Sequence, residues 1–86
     1  MLSLLYIRVF GVVIMVASYN KLWKLLIDKK MTKTQLCNLA KISTNAMAKL
    51  GKDEDVRVEV LIRICAALDC TVNDIMDIIP DKTDDQ

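Results

Sequence analysis

The sequence predicts a single small all-α domain of five helices, with no strand required. Two observations carry this prediction: after residue 18, apolar side chains recur at spacings of three and four, and Ser or Thr caps stand where helices would start. Eighty-six residues make one domain at most, with a core that is sufficient but modest.

The first helix is predicted over residues 20–30, with Ser18 as its cap. Its inner face would comprise Leu22, Trp23, Leu25 and Leu26, and its outer face Lys21, Lys24 and Lys29. A single aromatic residue at helical spacing is usually a core residue, so Trp23 is assigned to the core rather than to a binding surface.

The second helix follows a capping box, in which Thr32 is the cap and Gln35 stands three residues later. The apolar spacing that follows places Leu36, Leu39 and Ala40 on one buried face.

The third helix starts at once, because Ser43 is the next cap and only Lys41 and Ile42 lie between the two helices. Its apolar stripe is Met47 and Leu50. So short a connection is unsuited to an antiparallel hairpin and typical of the angled pair of a helix-turn-helix. Such a pair leaves its second helix projecting from the surface, with the width of the DNA major groove.

Two further helices are predicted after a charged loop. The fourth covers residues 58–68, with Arg57 where a cap is expected, so its start should fray unless Asp55 caps it. The fifth covers residues 71–77, because Thr71 and Asp74 repeat the capping spacing and Pro80 ends it. It would close the core with Val72, Ile75, Met76 and Ile79.

The chain divides into an apolar segment (1–17), the helical domain (18–80, with the motif at 32–51) and an acidic tail (81–86) expected to be disordered. Three interpretations of the apolar segment stay open. Translation starts at Met15, or residues 6–14 form a strand that pairs with a second copy, or the segment is a membrane anchor. A spanning helix needs about 20 apolar residues, and this segment is shorter and contains Arg8, so membrane attachment is the least favoured.

The net charge of +1 conceals a strong segregation of sign. Residues 18–52 contain eight lysines and one aspartate, a net +7, whereas residues 53–86 contain ten acids and three bases, a net −7. A basic half that contains the helix-turn-helix is the electrostatic footprint of a phosphate-binding face. The acidic half is expected to face away from the DNA.

The residues that catalysis or metal binding would need are missing. The chain has no histidine, its three cysteines form no C-x-x-C pair, and it has only two glycines and no phosphate-binding loop. The sequence therefore predicts no enzyme, no metal and no cofactor, and predicts that Cys37, Cys65 and Cys70 are buried, reduced thiols of a cytoplasmic protein.

The motif resembles the helix-turn-helix of Cro and lambda-repressor-type (XRE-like) regulators, in a compact single-domain branch. The residues that carry the resemblance are Thr32, Leu36, Cys37, Ala40, the pair Ile42-Ser43 and the helix 44–50, with the opening 19–23 in support. The departures are Lys41 at a turn usually occupied by Gly, Lys33 in place of Gln, and Gly51 in place of a frequent Glu. A left-handed backbone at Lys41 would be strained.

The resemblance implies a set of DNA contacts. Those to base edges would come from Thr44, Asn45, Ala46 and Lys49. Those to the DNA backbone would come from Thr32, Lys33, Lys41, Ser43 and Lys52. Asn45 can pair with adenine through two hydrogen bonds, and the Ala46 methyl can meet a thymine methyl.

The function that this resemblance implies is a sequence-specific transcriptional regulator, and more specifically a repressor that occupies a promoter as a homodimer on double-stranded DNA. The alternative is a protein-interaction module, antitoxin-like, that keeps the fold but binds DNA little.

Overall fold

The computed structural model describes residues 14–81, and within them four α-helices and a two-stranded antiparallel sheet. In chain order these are strand β1 (Met15–Ser18), helices α1 (Asn20–Asp28), α2 (Lys33–Ala40), α3 (Thr44–Gly51) and α4 (Val58–Leu68), a 3₁₀ turn (Val72–Asp74) and strand β2 (Asp77–Pro80). Helix α2 packs against both α3 and α4. The helix-turn-helix predicted from the sequence is therefore formed by α2 and α3.

The core draws on every helix and on both chain segments that flank the helices. Its buried members are Tyr19, Leu22, Leu26, Leu36, Ala40, Leu50, Ile64, Leu68 and Ile75. Trp23 packs against this core and is half-buried, as the helical spacing predicted. Each helix therefore presents one apolar stripe inward, which fixes the direction in which α3 projects.

Both predicted caps of the motif are confirmed. The Thr32 Oγ1 accepts a hydrogen bond from the Gln35 N–H (3.1 Å), and the Gln35 Oε1 accepts one from the Thr32 N–H (2.8 Å). The Ser43 Oγ accepts a hydrogen bond from the Ala46 N–H (3.0 Å). These bonds satisfy N–H groups that the first turn of a helix cannot satisfy itself.

All four helices end in the same way. Each is followed by a residue other than glycine in the left-handed backbone conformation, with φ between 53° and 58°. These residues are Lys30, Lys41, Asp53 and Asp69. The N–H of the next residue then donates to the carbonyl five residues before it, in the pairs Met31–Leu26, Ile42–Cys37, Glu54–Lys49 and Cys70–Cys65 (2.9–3.2 Å). This is the Schellman ending, which usually takes Gly. The strain predicted at Lys41 is thus present, with φ 58°.

The prediction of five helices with no strand required is wrong for the last part of the domain. After the 3₁₀ turn the chain extends into β2, which pairs with β1 in a register that joins Met15 to Pro80 and Ser18 to Asp77. Only Ile75 of the four apolar residues expected to close the core is fully buried; Met76 is half-buried, and Val72 and Ile79 are exposed. Residues 15–17, which the sequence assigned to the apolar segment, belong to this sheet.

Helix α1 differs from its prediction at both ends. It ends at Asp28 rather than at residue 30, and its cap position is Tyr19, which makes no side-chain capping bond. The predicted cap, Ser18, is instead buried at the end of β1. At α4, Arg57 occupies the cap position without a side-chain capping bond, and Asp55 does not replace it.

The buried face of α2 is rotated from the predicted one. Leu36, Cys37 and Ala40 are buried, whereas Leu39 is 54% exposed. At 100° per residue, Leu39 and Cys37 lie on opposite sides of Leu36, so burial of Cys37 turns Leu39 towards the surface. The Leu39 side chain is therefore available on the surface beside α4.

Other predictions concern residues outside the described range. These are the strand or anchor within residues 1–14, of which only Ile14 is described, and the disorder of the acidic tail, of which only Asp81 is described. Within residues 14–81, no helix combines the length and apolar content needed to cross a membrane.

Candidate nucleic-acid interface

Helix α3 is held on one side and open on the other. Leu50 is fully buried and Met47 packs half-buried against the core, so the apolar stripe of α3 faces inward. Thr44, Asn45 and Lys49 are exposed on the rest of its surface. The first turn of α3 thus carries a hydroxyl and an amide to solvent, with an ammonium one turn further along.

A shallow groove runs along this open side of α3. It is lined by Ser43, Asn45, Ala46, Lys49, Val56 and Arg57, which include four of the predicted DNA-contacting residues. The Ser43 Oγ accepts a hydrogen bond from the Ala46 N–H, so the hydroxyl group can still donate a hydrogen bond to a group outside the protein. Thr44 is exposed on the same helix but does not line the groove.

Arg57 is a member of this groove that the sequence did not predict. It immediately precedes α4, and its side chain is exposed. Its neighbour Val56 packs against the core and so fixes the chain beside α3. The sequence offered one signal for this role: a cation standing where a helix cap would otherwise be expected, two residues after three consecutive acids.

Thr32 and Lys33 lie together at the start of α2. Both are exposed, and Thr32 is engaged in the capping box. The Lys33 Nζ lies 4.3 Å from the centroid of the Trp23 ring, which is a cation–π contact. Lys33 is therefore held against α1 rather than extended into solvent.

Lys41 and Lys52 flank α3 at its two ends, and both are exposed. Lys41 borders a different groove, between α2 and α4, together with Leu39, Arg63 and Ala66. The structure thus brings Ser43, Asn45, Ala46 and Lys49 together, and does not place Lys41 with them.

The loop after α3 is tied to the start of the domain by Tyr19. Its phenol donates a hydrogen bond to the Glu54 carbonyl (2.9 Å), and its backbone N–H donates to the Asp53 Oδ1 (3.1 Å). Burial raises the pKa of the Tyr19 phenol, and the negative charges of Asp55 and Asp53 raise it further. The loop that carries Arg57 therefore leaves α3 along a fixed path.

The basic residues differ in whether acidic side chains lie beside them. Lys21 forms an ion pair with Asp77 (3.0 Å) and donates to the Asn73 carbonyl (3.0 Å). Lys24 and Lys29 line a groove that also contains acids, namely Asp28, Asp69 and Asp74. Within residues 14–81, no ion pair involves Lys33, Lys49, Lys52 or Arg57. These four cations, like Lys41, lie on the motif or just after it and are available to meet phosphate.

The prediction that the three cysteines are buried is confirmed for Cys37 alone. Cys37 is buried, and Cys65 and Cys70 are half-buried. Burial raises the pKa of the Cys70 thiol to about 11, and the neighbouring Cys65 adds to this shift. A thiol with so high a pKa stays protonated at neutral pH and is a poor nucleophile.

Comparison with known proteins agrees with this geometry. Residues 21–81 match the model of the Cro/C1-type helix-turn-helix DNA-binding domain. The crystal structure of the transcriptional regulator VanUg is similar, with a TM-score of 0.76 and 48% sequence identity over 78% of this chain and 89% of that one. No protein of curated function is detectably similar in sequence. The chain belongs to the family of Cro/C1-type helix-turn-helix DNA-binding domains.

Proposed function

We propose that this protein is a sequence-specific DNA-binding regulator that inserts the first turns of α3 into the major groove. The observation that carries the proposal is the groove along α3, where Asn45 and Lys49 are exposed beside Arg57 while Met47 and Leu50 hold the helix from behind. An α-helix fits the major groove, and donors and acceptors on its first turns reach base edges.

Base readout is assigned to four residues of α3. Asn45 pairs with adenine through its amide, and Lys49 donates to guanine or to a phosphate. Thr44 offers a hydroxyl to either kind of partner, and Ala46 offers a methyl group to thymine. Because two of the residues along this surface are alanines (Ala46 and Ala48), direct readout is thin and DNA shape contributes to specificity.

Contacts to the DNA backbone are assigned to residues around α3. Lys33, Thr32 and the free N–H groups at the start of α2 meet one phosphate, while Ser43, Lys52 and Arg57 meet others near the two ends of α3. Lys41 is the weakest member of this set, because it borders the groove between α2 and α4. These contacts set the register and the affinity rather than the sequence preference.

The regulator acts in the cytoplasm as a homodimer, and it represses transcription by occupying a promoter. One domain of this size covers a single half-site, and two copies on half-sites about 34–36 Å apart would supply the missing specificity. Repression of this kind needs no chemistry, only competition for the same duplex.

A second candidate function is protein recognition on the same fold. It is favoured by exposed apolar side chains on α2 and α4: Leu39 is 54% exposed, Ile62 60% and Val58 67%. Exposed apolar side chains suit a protein partner, whether a second copy or another chain. In this case the protein would bind DNA weakly and with little dependence on salt.

The test is binding of the full chain to a pool of random duplexes across a salt series. If the protein is a sequence-specific regulator, the selected duplexes should share a motif, and the affinity should fall steeply as the salt concentration rises. Lys49→Gln should weaken binding and flatten the salt dependence. Lys24→Gln should change neither, because the Lys24 side chain borders the groove that contains Asp28, Asp69 and Asp74. A folded protein that binds no duplex at low salt would contradict the proposal.

A further inference from the structure

The contact between Lys33 and Trp23 joins two elements of the fold. Trp23 is on α1 and packs half-buried against the core, so its ring has a fixed position. Lys33 is the first residue of α2, and its ammonium lies 4.3 Å from the ring centroid. The Lys33 ammonium thus contacts the Trp23 ring on one side and is open to solvent on the other.

The ammonium of Lys33 is in an electrostatically unfavourable place. The N-terminus of a helix carries a partial positive charge, and the first turn of α2 contains no acid that would offset it. The electron-rich face of Trp23 compensates for part of this repulsion. A cation held beside the free N–H groups of a helix start is an arrangement that an anion would complete.

We propose that Trp23 is a positioning residue for DNA binding, which holds the Lys33 ammonium where it meets a backbone phosphate. The inference rests on the proposed function and adds a determinant of affinity that touches no DNA itself. A free lysine side chain must lose rotamer freedom when it binds a phosphate. A lysine already held by Trp23 has lost part of that freedom before the DNA arrives.

The proposal makes a prediction that a purely structural role for Trp23 does not make. Trp23 is uncharged, yet Trp23→Leu should reduce the slope of log affinity against log salt by about 0.9, the value of one phosphate contact. The affinity itself should fall by about threefold at low salt, as expected when the Lys33 side chain must lose more of its rotamer freedom on binding. Trp23→Phe keeps an aromatic face and should retain the wild-type slope.

The matched variants are Lys33→Met, the double variant with Trp23→Leu, and Lys24→Met as a control. Lys33→Met should lose the same slope, and adding Trp23→Leu to it should change the slope no further. Lys24 is adjacent to Trp23 in sequence but borders the groove with Asp28, Asp69 and Asp74, so Lys24→Met should leave the slope unchanged. Circular dichroism establishes that each variant is folded.

Fluorescence supplies a second measurement that needs no change at Trp23. Trp23 is the one tryptophan of the chain, so its emission reports on this site alone. Addition of a selected duplex should shift its emission in the wild type and much less in Lys33→Met. The same shift in both proteins would contradict the proposal, even if Trp23→Leu fails to fold.

The outcomes separate this inference from the function on which it rests. If the wild type binds no duplex, the proposed function is wrong and the inference falls with it. If the wild type binds with a steep salt dependence and folded Trp23→Leu keeps the whole slope, only the role of Trp23 is wrong. The same holds if Trp23→Leu lowers the slope in the Lys33→Met background.

Discussion

The guanidinium of Arg63 on α4 donates a hydrogen bond of 2.8 Å to the backbone carbonyl of Lys41, the residue at which the chain turns from α2 to α3. A second nitrogen of the same group pairs with the Glu59 carboxylate, also at 2.8 Å. Helix α4 therefore fixes the left-handed turn that sets the angle between the two helices of the motif.

Removal of this clamp should loosen the motif. Arg63→Leu is expected to lower the free energy of unfolding by about 1 kcal/mol, since a hydrogen bond of an exposed charged group is lost. DNA affinity should also fall, although Arg63 is assigned no DNA contact. Urea unfolding and duplex binding measure the two effects. In the control, Glu59→Gln, the bond to Lys41 is kept, and both effects should be small.

Lys41 itself offers a gain in stability. At φ 58° its backbone is strained because the residue carries a Cβ, and Gly adopts this conformation freely. Lys41→Gly should therefore raise the free energy of unfolding by about 1 kcal/mol, whereas Lys41→Ala, which keeps a Cβ, should not. Urea unfolding of the three proteins distinguishes strain at this residue from a simple effect of charge. Equal stability of the Gly and Ala variants would contradict the assignment.

Ser43 is assigned two separable roles, as a cap and as a phosphate contact. Ser43→Ala should cost about 1 kcal/mol of stability, because the Ala46 N–H loses its acceptor. Ser43→Asp keeps a capping oxygen and should preserve stability, but its negative charge should weaken DNA binding by about tenfold. If Ser43→Asp binds DNA as well as the wild type does, no phosphate lies near Ser43.

The free energy of unfolding should depend on pH in the alkaline range because of Tyr19. Its pKa is raised above the ordinary value of 10.0, chiefly by burial, so the folded state favours the neutral phenol. Its contribution is therefore complete below pH 10 and is lost as the pH rises through the folded-state value. At neutral pH the wild type should exceed Tyr19→Phe by about 1 kcal/mol, because the variant lacks the hydrogen bond to Glu54.

This difference between the wild type and Tyr19→Phe should close as the pH rises above 10, since phenylalanine cannot ionise. Denaturant unfolding of both proteins at neutral and alkaline pH measures it, and comparison of the pair cancels the other groups that titrate there. A difference that stays constant with pH would mean that the phenol is not held neutral by its surroundings.

The features that the sequence predicted correctly are local ones. Thr32 and Ser43 cap their helices through bonds to residues three positions away, so their spacing alone reveals them. The bounds of α4 were also predicted, because its apolar repeat runs unbroken from Val58 to Leu68. Such signals do not depend on the rest of the fold.

The features that it missed depend on residues far apart in the chain. Met15 pairs with Pro80, and neither segment shows on its own that it has a partner. The apolar spacing of Ile75, Met76 and Ile79 fits a helix, but pairing with β1 extends the chain from Asp77 onward. Likewise, Arg57 joins the groove only because the loop before it is tied to Tyr19, a contact across 35 residues.

The central claim is that Asn45 reads a base pair in the major groove. It is tested most directly by measuring the affinity of wild type and Asn45→Ala for a set of duplexes in which every position of the selected site is varied in turn. Asn45→Ala should lose about tenfold or more of the discrimination at one position and leave the others unchanged. Asn38→Ala, an exposed asparagine on α2, should reproduce the wild-type profile. If Asn45→Ala keeps the wild-type preference at every position, α3 does not read DNA through Asn45.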